Sequence, residues 1–141
     1  MSQRLQVMMN RKPCYDIVFA QDFQGLQEEL AVLETAEKKL CIVTDSKVDS
    51  LYGEEVLNLI QGSCVKAVKF VFENGEENKN LDTVKKLYQF LIDEKFDRKD
   101  MLLALGGGVT GDLTGYAAAT FLRGIDYIQI PTTLLAQADS S

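Results

Sequence analysis

Residues 101–141 read MLLALGGGVTGDLTGYAAATFLRGIDYIQIPTTLLAQADSS, and the order of pieces in this stretch decides the fold. MLLAL is a short apolar run without alternation, the pattern of a strand buried on both faces. Gly106, Gly107 and Gly108 follow at once. Without Cβ atoms they let the backbone turn sharply and bring its N–H groups against a ligand. A helical pattern starts at Val109, so the unpaired N–H groups of its first turn point back at the glycines and favour a phosphate or pyrophosphate. Gly111, Gly115 and Ala119 recur every four residues and give the helix a small-residue face for close approach to a strand or helix. Arg123 suits the negative end of the helix, Gly124 its C′ position, and IDYIQI the next strand. Pro131 stops that strand. Thr132 and Thr133 then emerge at the same sheet edge as the glycines, because parallel strands deliver their carboxyl ends to one side.

Upstream, the same alternation repeats. Tyr15 to Ala20 is a predicted strand, and Phe23, Leu26, Leu30 and Leu33 mark one face of a helix. KKLCIVTD gives a buried strand from about Leu40 to Thr44 that ends in Asp45-Ser46-Lys47. Leu51, Val56, Leu57 and Ile60 predict a helix stopped near Gly62, and Val65 to Phe72 the next strand. Asn80 is placed to cap a helix carrying Leu81, Val84, Leu87, Tyr88 and Leu91, with Asp82 in its first turn. Strands alternating with helices over short loops predict an open parallel α/β sheet flanked by helices. Ligands on such sheets bind beyond the carboxyl ends of the strands. Asp45, the loop Asn74-Gly75-Glu76-Glu77-Asn78-Lys79, the glycine turn and Thr132-Thr133 all fall on that side.

Composition narrows the partners. The 141 residues, 15.7 kDa, suit one domain, and 46% hydrophobic residues suffice for a core. A net charge of -6 and a pI near 4.7 argue against nucleic acid and anionic membrane. Backbone amides and local lysines still accommodate a phosphate. No apolar run approaches the length of a membrane span, and the first residues lack a signal-peptide core. Cys14, Cys41 and Cys64 are odd in number and far apart, which reads as reduced residues of a cytoplasmic protein. There is no histidine, so a zinc site with imidazole ligands cannot be built from this chain, and no histidine serves as general base.

Gly106 to Gly111 matches G-x-G-x-x-G, yet the ordinary dinucleotide fingerprint fails. Asp126, at about the expected separation, opens a strand and so faces the opposite sheet edge. The longer string is more specific. GGGVTGDLTGYAAATFLRG followed by PTTLLAQADSS resembles the 3-dehydroquinate synthases, within the sugar-phosphate cyclases. The strand ending in Thr44-Asp45 and the segment from Asn74 to Lys79 agree with it. The resemblance covers essentially the whole chain, residues 1–141, as the N-terminal, NAD-binding α/β domain of a two-domain enzyme.

That resemblance implies an NAD- and metal-dependent, phosphate-eliminating lyase of the shikimate pathway. Such an enzyme converts 3-deoxy-D-arabino-heptulosonate 7-phosphate into 3-dehydroquinate, with a transient oxidation that makes the phosphate a leaving group. It implies Asp45 on the adenosine ribose; Asn74, Gly75, Glu76, Glu77, Asn78 and Lys79 around the cofactor, with Lys79 steadying Glu76; and Gly107, Gly108, Val109, Thr110 and Gly111 at the pyrophosphate turn. Asp112 would meet the nicotinamide amide, and Thr132 and Thr133 the cofactor. Arg123 would reach a substrate phosphate across a homodimer interface, and Asp139 would contact substrate. The family often has asparagine where this chain has Lys47. The metal, zinc or cobalt, is held in the family by one Glu and two His of a C-terminal helical domain absent from residues 1–141, so this chain is expected to carry half an active site and little or no activity.

Read from the residues alone, each position keeps a plainer role. Asp45 is also a turn or N-cap residue, Glu76 and Lys79 charges of a solvated loop, the glycines a tight turn, and Asp112 a carboxylate stabilised by the helix dipole. Thr132 and Thr133 also serve backbone groups after Pro131, Arg123 the helix end, and Asp139 a loop. The alternatives are a cyclase making an inosose or valiolone, a stand-alone nucleotide-binding or regulatory domain, and a metal-dependent alcohol dehydrogenase of similar plan.

Overall fold

The computed structural model describes residues 3–9, 12–19, 23 and 25–132. From its amino end the chain runs β1 (Gln3–Met9), β2 (Lys12–Phe19), α1 (Leu26–Val32), β3 (Lys39–Asp45), α2 (Ser46–Val48), α3 (Glu54–Ile60), β4 (Lys66–Phe72), α4 (Leu81–Asp93), β5 (Met101–Gly106), α5 (Gly108–Thr120) and β6 (Asp126–Pro131). The strands form one six-stranded sheet in the order β1-β2-β6-β5-β3-β4. Every pairing is parallel except that of β1 with β2.

The unalternating apolar runs are explained by burial on both faces. In β3, Leu40 and Ile42 point into one core while Cys41 and Val43 point into the other. In β5, Met101, Leu103 and Leu105 join the first and Leu102 the second. Helices α1 and α3 cover the first core with Leu26, Leu30, Val56 and Ile60. Helices α4 and α5 cover the second with Val84, Leu87, Leu91, Leu113 and Ala117. The small-residue face of α5 has the expected use, since Cβ atoms at Gly111 and Gly115 would lie 3.0 Å from the Gln129 and Tyr127 side chains of β6. Among the described residues, no helix is long and apolar enough to cross a membrane.

Chain order and sheet order part company twice: from β2 the chain crosses the positions later filled by β6 and β5 to reach β3, and it doubles back once more after β4. After β3 the chain steps outward to the edge strand β4, then α4 carries it back to β5 on the other side of β3. The helices leaving β3 and β5 consequently pack on opposite faces. A crevice opens between them at the carboxyl edge, the usual ligand position in this class of sheet.

Several expectations need correcting. The strand expected at Tyr15 to Ala20 is β2, Lys12–Phe19, and it is preceded by the antiparallel strand Gln3–Met9, so the sheet is parallel with one antiparallel edge strand. Its signal was the alternation of Leu5, Val7 and Met9 with Arg4 and Gln6, the pattern of a strand with one solvated side. The register shifts between Val7 and Met8, beside the Met8–Pro13 pairing. A proline is tolerated in a sheet at such an irregularity. The helix predicted around Leu51 is interrupted, because Asp49–Gly53 winds as a π-helical turn between α2 and α3. Val56 and Ile60 are buried as predicted, but Leu51 is 60% exposed. Helix α5 stops at Thr120. Leu122 and Arg123 take left-handed backbone, φ 50 and 68, before Gly124 at φ 115.

These assignments predict different costs for two leucines. Leu103→Ala, at a fully buried site, is expected to lower the unfolding free energy by about 2–5 kcal/mol. Leu51→Ala should stay within about 0.5 kcal/mol of the parent. Urea unfolding followed by circular dichroism checks both, and equal losses would mean that Leu51 is packed as its periodicity suggests.

Candidate functional site

The crevice at the carboxyl edge is a cleft of about 320 Å³. It is lined by the end of β3 (Asp45), the helical stretch that follows it (Lys47, Val48, Leu51, Tyr52), the end of β4 and its loop (Phe72, Asn74, Gly75, Glu76), the glycine turn (Gly107 to Thr110) and Thr132 after β6.

Its floor is the start of α5. Gly107 is the N-cap and offers no side-chain hydrogen bond, and the first intrahelical bond runs from Gly111 N–H to the Gly107 carbonyl, 3.0 Å. The N–H groups ahead of Gly111 therefore have no acceptor within the helix. Gly106 is the glycine the turn itself requires. Its φ is 152, a Cβ there would come within 2.8 Å of the Thr110 hydroxyl, and its carbonyl accepts from Thr132 N–H at 3.2 Å. At Gly108 the reverse holds: a Cβ would meet nothing within 4 Å. Its bare backbone leaves room above the helix start that the fold does not use. Two hydroxyls border this space, those of Thr110 and Thr132, and neither finds a hydrogen-bond partner among the described residues although both oxygens are buried. A buried unpaired hydroxyl costs about 1–3 kcal/mol, which favours an additional polar partner at this spot.

The far wall begins at Asp45, where Oδ1 accepts from Val48 N–H at 2.8 Å and caps α2. The plainer role read for Asp45 is thus real, and it uses one of the two carboxylate oxygens. The loop after β4 is tied to the same place, Asn74 N–H donating to the Ser46 hydroxyl at 3.0 Å. Gly75 has φ 136 and turns the loop back so that Glu76 reaches the cleft.

Of the candidate residues, Asp45, Asn74, Gly75, Glu76, Gly107, Gly108, Val109, Thr110 and Thr132 come together here. Gly111 instead packs against Gln129. Glu77 and Asn78 stay on the loop's short helical turn, the Glu77 carbonyl accepting from Asn80. Lys79 does not pair with Glu76. It donates to Asp112 Oδ2 at 2.7 Å, bridging the loop to α5 along a neighbouring groove. That hydrogen bond first, then the Asp112 charge, holds the Lys79 ammonium above its ordinary value of 10.5. Arg123 is exposed at the far end of α5, whose 13 residues span about 20 Å. Thr133 and Asp139 lie outside the described residues.

Lys47, Val48, Leu51, Tyr52 and Phe72 line the cleft without having been singled out as contacts. Leu51 and Tyr52 were hidden because a π-helical turn has no period in the sequence to reveal it. Asp126, discounted earlier, is paired with Met101 at the opposite edge.

The sequence model of the family described as "3-dehydroquinate synthase N-terminal" matches residues 69–141. A 3-dehydroquinate synthase of Acetivibrio thermocellus is 54% identical over 103 residues, 73% of this chain and 29% of that protein. One from Streptococcus mutans serotype c is 42% identical over 138 residues, 98% of this chain and 39% of that protein. The chain therefore spans well under half the length of these relatives. A solved 2-deoxy-scyllo-inosose synthase, complexed with carbaglucose-6-phosphate, NAD+ and Co2+, superposes with a TM-score of 0.85 at 27% identity, covering 98% of this chain and 37% of that one.

Two measurements test the geometry. Gly106→Ala should destabilise the fold by about 1 kcal/mol or more, since alanine resists φ near 152. Gly108→Ala should fall within about 0.5 kcal/mol of the parent in the same urea titration. A larger loss at Gly108 would place the strain in the wrong glycine. The Lys79–Asp112 pair predicts a pH effect of definite sign. Because the Lys79 pKa is raised, the pair's contribution is complete below 10.5 and fades as pH climbs through the raised value. Asp112→Asn should bring the Lys79 titration, followed by NMR of its ε-methylene, back toward 10.5.

Proposed function

The chain belongs to the 3-dehydroquinate synthase family, and from that membership we propose that it is the nucleotide-binding part of a cytoplasmic, NAD- and metal-dependent lyase of the shikimate pathway. That enzyme converts 3-deoxy-D-arabino-heptulosonate 7-phosphate into 3-dehydroquinate and phosphate. Identities of 42–54% to 3-dehydroquinate synthases, against 27% to the inosose synthase, favour this substrate over that of a related cyclase. Residues 1–141 alone are read as carrying little or no activity.

The observation that carries the nucleotide assignment is the unused space over Gly108, set on an uncapped helix start between the unpaired hydroxyls of Thr110 and Thr132. The fit to a dinucleotide is good. Backbone N–H groups of the glycine turn hold the pyrophosphate, as helix N-termini do. Thr110 and Thr132 donate to it or to the adjoining ribose. The Asp45 carboxylate, one oxygen committed to the α2 cap, has the other for a ribose hydroxyl. Glu76 adds an acceptor on the loop, and Thr133 and Asp139 would contact cofactor and substrate by family resemblance. When bound, NAD supplies a hydride acceptor.

Lys79 and Asp112, read as direct cofactor contacts, hold each other and so fix the loop to α5. Arg123, a helix length from the glycine turn, suits a substrate phosphate only in the cleft of a second subunit. We accordingly read the family-length enzyme as a homodimer. The metal does not fit this chain. The sequence has no histidine, and no three His, Cys, Asp or Glu side chains converge among the described residues, so no step is derived through it.

Gly108→Val tests the assignment directly. A valine there meets no protein atom at Cβ yet occupies the space over the helix start, so the fold should persist while NAD binding falls by about a hundredfold or more, about 2.7 kcal/mol. Lys99→Ala, at an exposed position before β5, should leave binding unchanged. Calorimetric titration with NAD decides, and undiminished affinity in Gly108→Val would remove the pyrophosphate from this turn.

A further inference from the structure

We propose that Tyr88, on α4, is a positioning residue: with Thr120 it holds the turn Phe121–Gly124 in a left-handed form that presents Arg123 to a phosphate monoester bound in a second copy of the chain. The inference rests on the reading of Arg123 as a substrate-phosphate contact in a homodimer, and adds the device that presents it.

Local propensity would keep this stretch helical. Leucine and arginine are good helix formers, and Gly124 suits the C′ position of a helix running through Arg123. Instead Phe121 leaves α5 with φ -73 and ψ 122, and Leu122 and Arg123 follow at φ 50 and 68. Positive φ at both central residues is the requirement of a type I′ turn, which favours asparagine and glycine. Gly124 N–H closes the turn on the Phe121 carbonyl at 2.8 Å, and Ile125 N–H ties its exit to the Ala118 carbonyl at 2.7 Å. Phe121 and Ile125 are buried at its feet, while Leu122 and Arg123 are exposed at its tip. Among the described residues no ion pair holds Arg123, and the Asp126 carboxylate just beyond the turn lies 4.0 Å from Lys38 instead. Left-handed backbone at two residues other than glycine persists only where the surroundings impose it, and it clusters at ligand clamps.

What imposes it here comes from α4. The Tyr88 ring stacks on that of Phe121, centroids 6.1 Å apart and planes 25° from parallel. The Tyr88 hydroxyl also bonds to the Thr120 hydroxyl. Thr120 has a single proton to give, and it donates to the Tyr116 carbonyl at 2.8 Å, so Tyr88 is the donor of the pair. One side chain thus grips the last residue of α5 and the first residue beyond it, the two between which the helix ends. Neither Tyr88 nor Thr120 lines the cleft. Removing the bond between them leaves the nucleotide contacts in place and loosens only the turn that carries Arg123.

Two readouts test this. In residues 1–141, amide exchange followed by NMR should be about three- to tenfold faster at Gly124 and Ile125 in Tyr88→Phe, the range for one lost hydrogen bond. The Val48 amide, at the far wall of the cleft, should keep its parent rate. In the family-length enzyme, Tyr88→Phe should raise KM for the sugar phosphate by a similar factor and leave kcat and the KM for NAD at parent values. Thr120→Val should match it, and Thr120→Ser, which keeps the hydroxyl, should behave as the parent. In an Arg123→Ala background, Tyr88→Phe should cost no further kcat/KM, because coupled residues are not additive. Parent-like exchange and KM in Tyr88→Phe, beside a clear loss in Arg123→Ala, would overturn the role of Tyr88 and leave that of Arg123 standing. Faster exchange at Val48 as well, or equal rises in both KM values, would make Tyr88 a general support of the fold and overturn its positioning role. Additive losses in the double variant would do the same. A parent-like KM in Arg123→Ala would remove the phosphate contact itself, and the positioning role with it.

Discussion

The burial of β5 on both faces, between β3 and β6, is the constraint from which the remaining architecture follows. A strand in that position must be apolar at every residue, and Met101 to Leu105 are. It must also be reached from the edge strand by a crossover, which α4 provides. Once β5 lies beside β3, the helices that leave these neighbours depart to opposite faces, and a gap at their carboxyl ends is unavoidable. The cleft needs no dedicated machinery. It is what remains when two helices diverge.

What the protein adds is a selective treatment of helix starts. Asp45 and Asn80 close α2 and α4 with side-chain caps, each an interaction of about 1 kcal/mol. Helices α1, α3 and α5 begin at glycine with no such cap, and of these glycines Gly107 alone lines the cleft. The same economy is missing at Thr110 and Thr132, whose buried hydroxyls find no partner among the described residues. Departures from local consistency are expected where function constrains the fold. In this sheet they fall beside one another, at the floor of one crevice.

Much of this was legible in the residues. MLLAL, the glycines and the small-residue face of α5 each carry a local physical signature, and so do the Asn80 cap and the buried register of β3. The rest depends on contacts distant in sequence. Nothing near Lys79 indicates that Asp112, on helix α5, takes its ammonium, nor does the 3.6-residue period around Leu51 reveal a π-helical turn whose Asp49 pairs with Lys69 of the next strand. The failed dinucleotide fingerprint has a related explanation. The acid that does line the cleft stands upstream of the glycines, Asp45, on the strand beside β5. Space holds the expected neighbours, but the chain visits them in the opposite order.

That order bears on how the molecule assembles. Strands β3 and β4 pair across one short helical crossover, Lys39 meeting Lys66, whereas β3 and β5 pair only when Leu40 meets Met101. Contacts of such sequence separation carry the larger loop-closure cost and the slower formation. A partial sheet lacking β5 has no floor for the cleft, and the far wall, built on β3 and β4, then faces nothing. The complete cleft is therefore a property of the completed topology. A ligand that touches both of its walls would stabilise the finished sheet over the earlier, locally paired half of the chain.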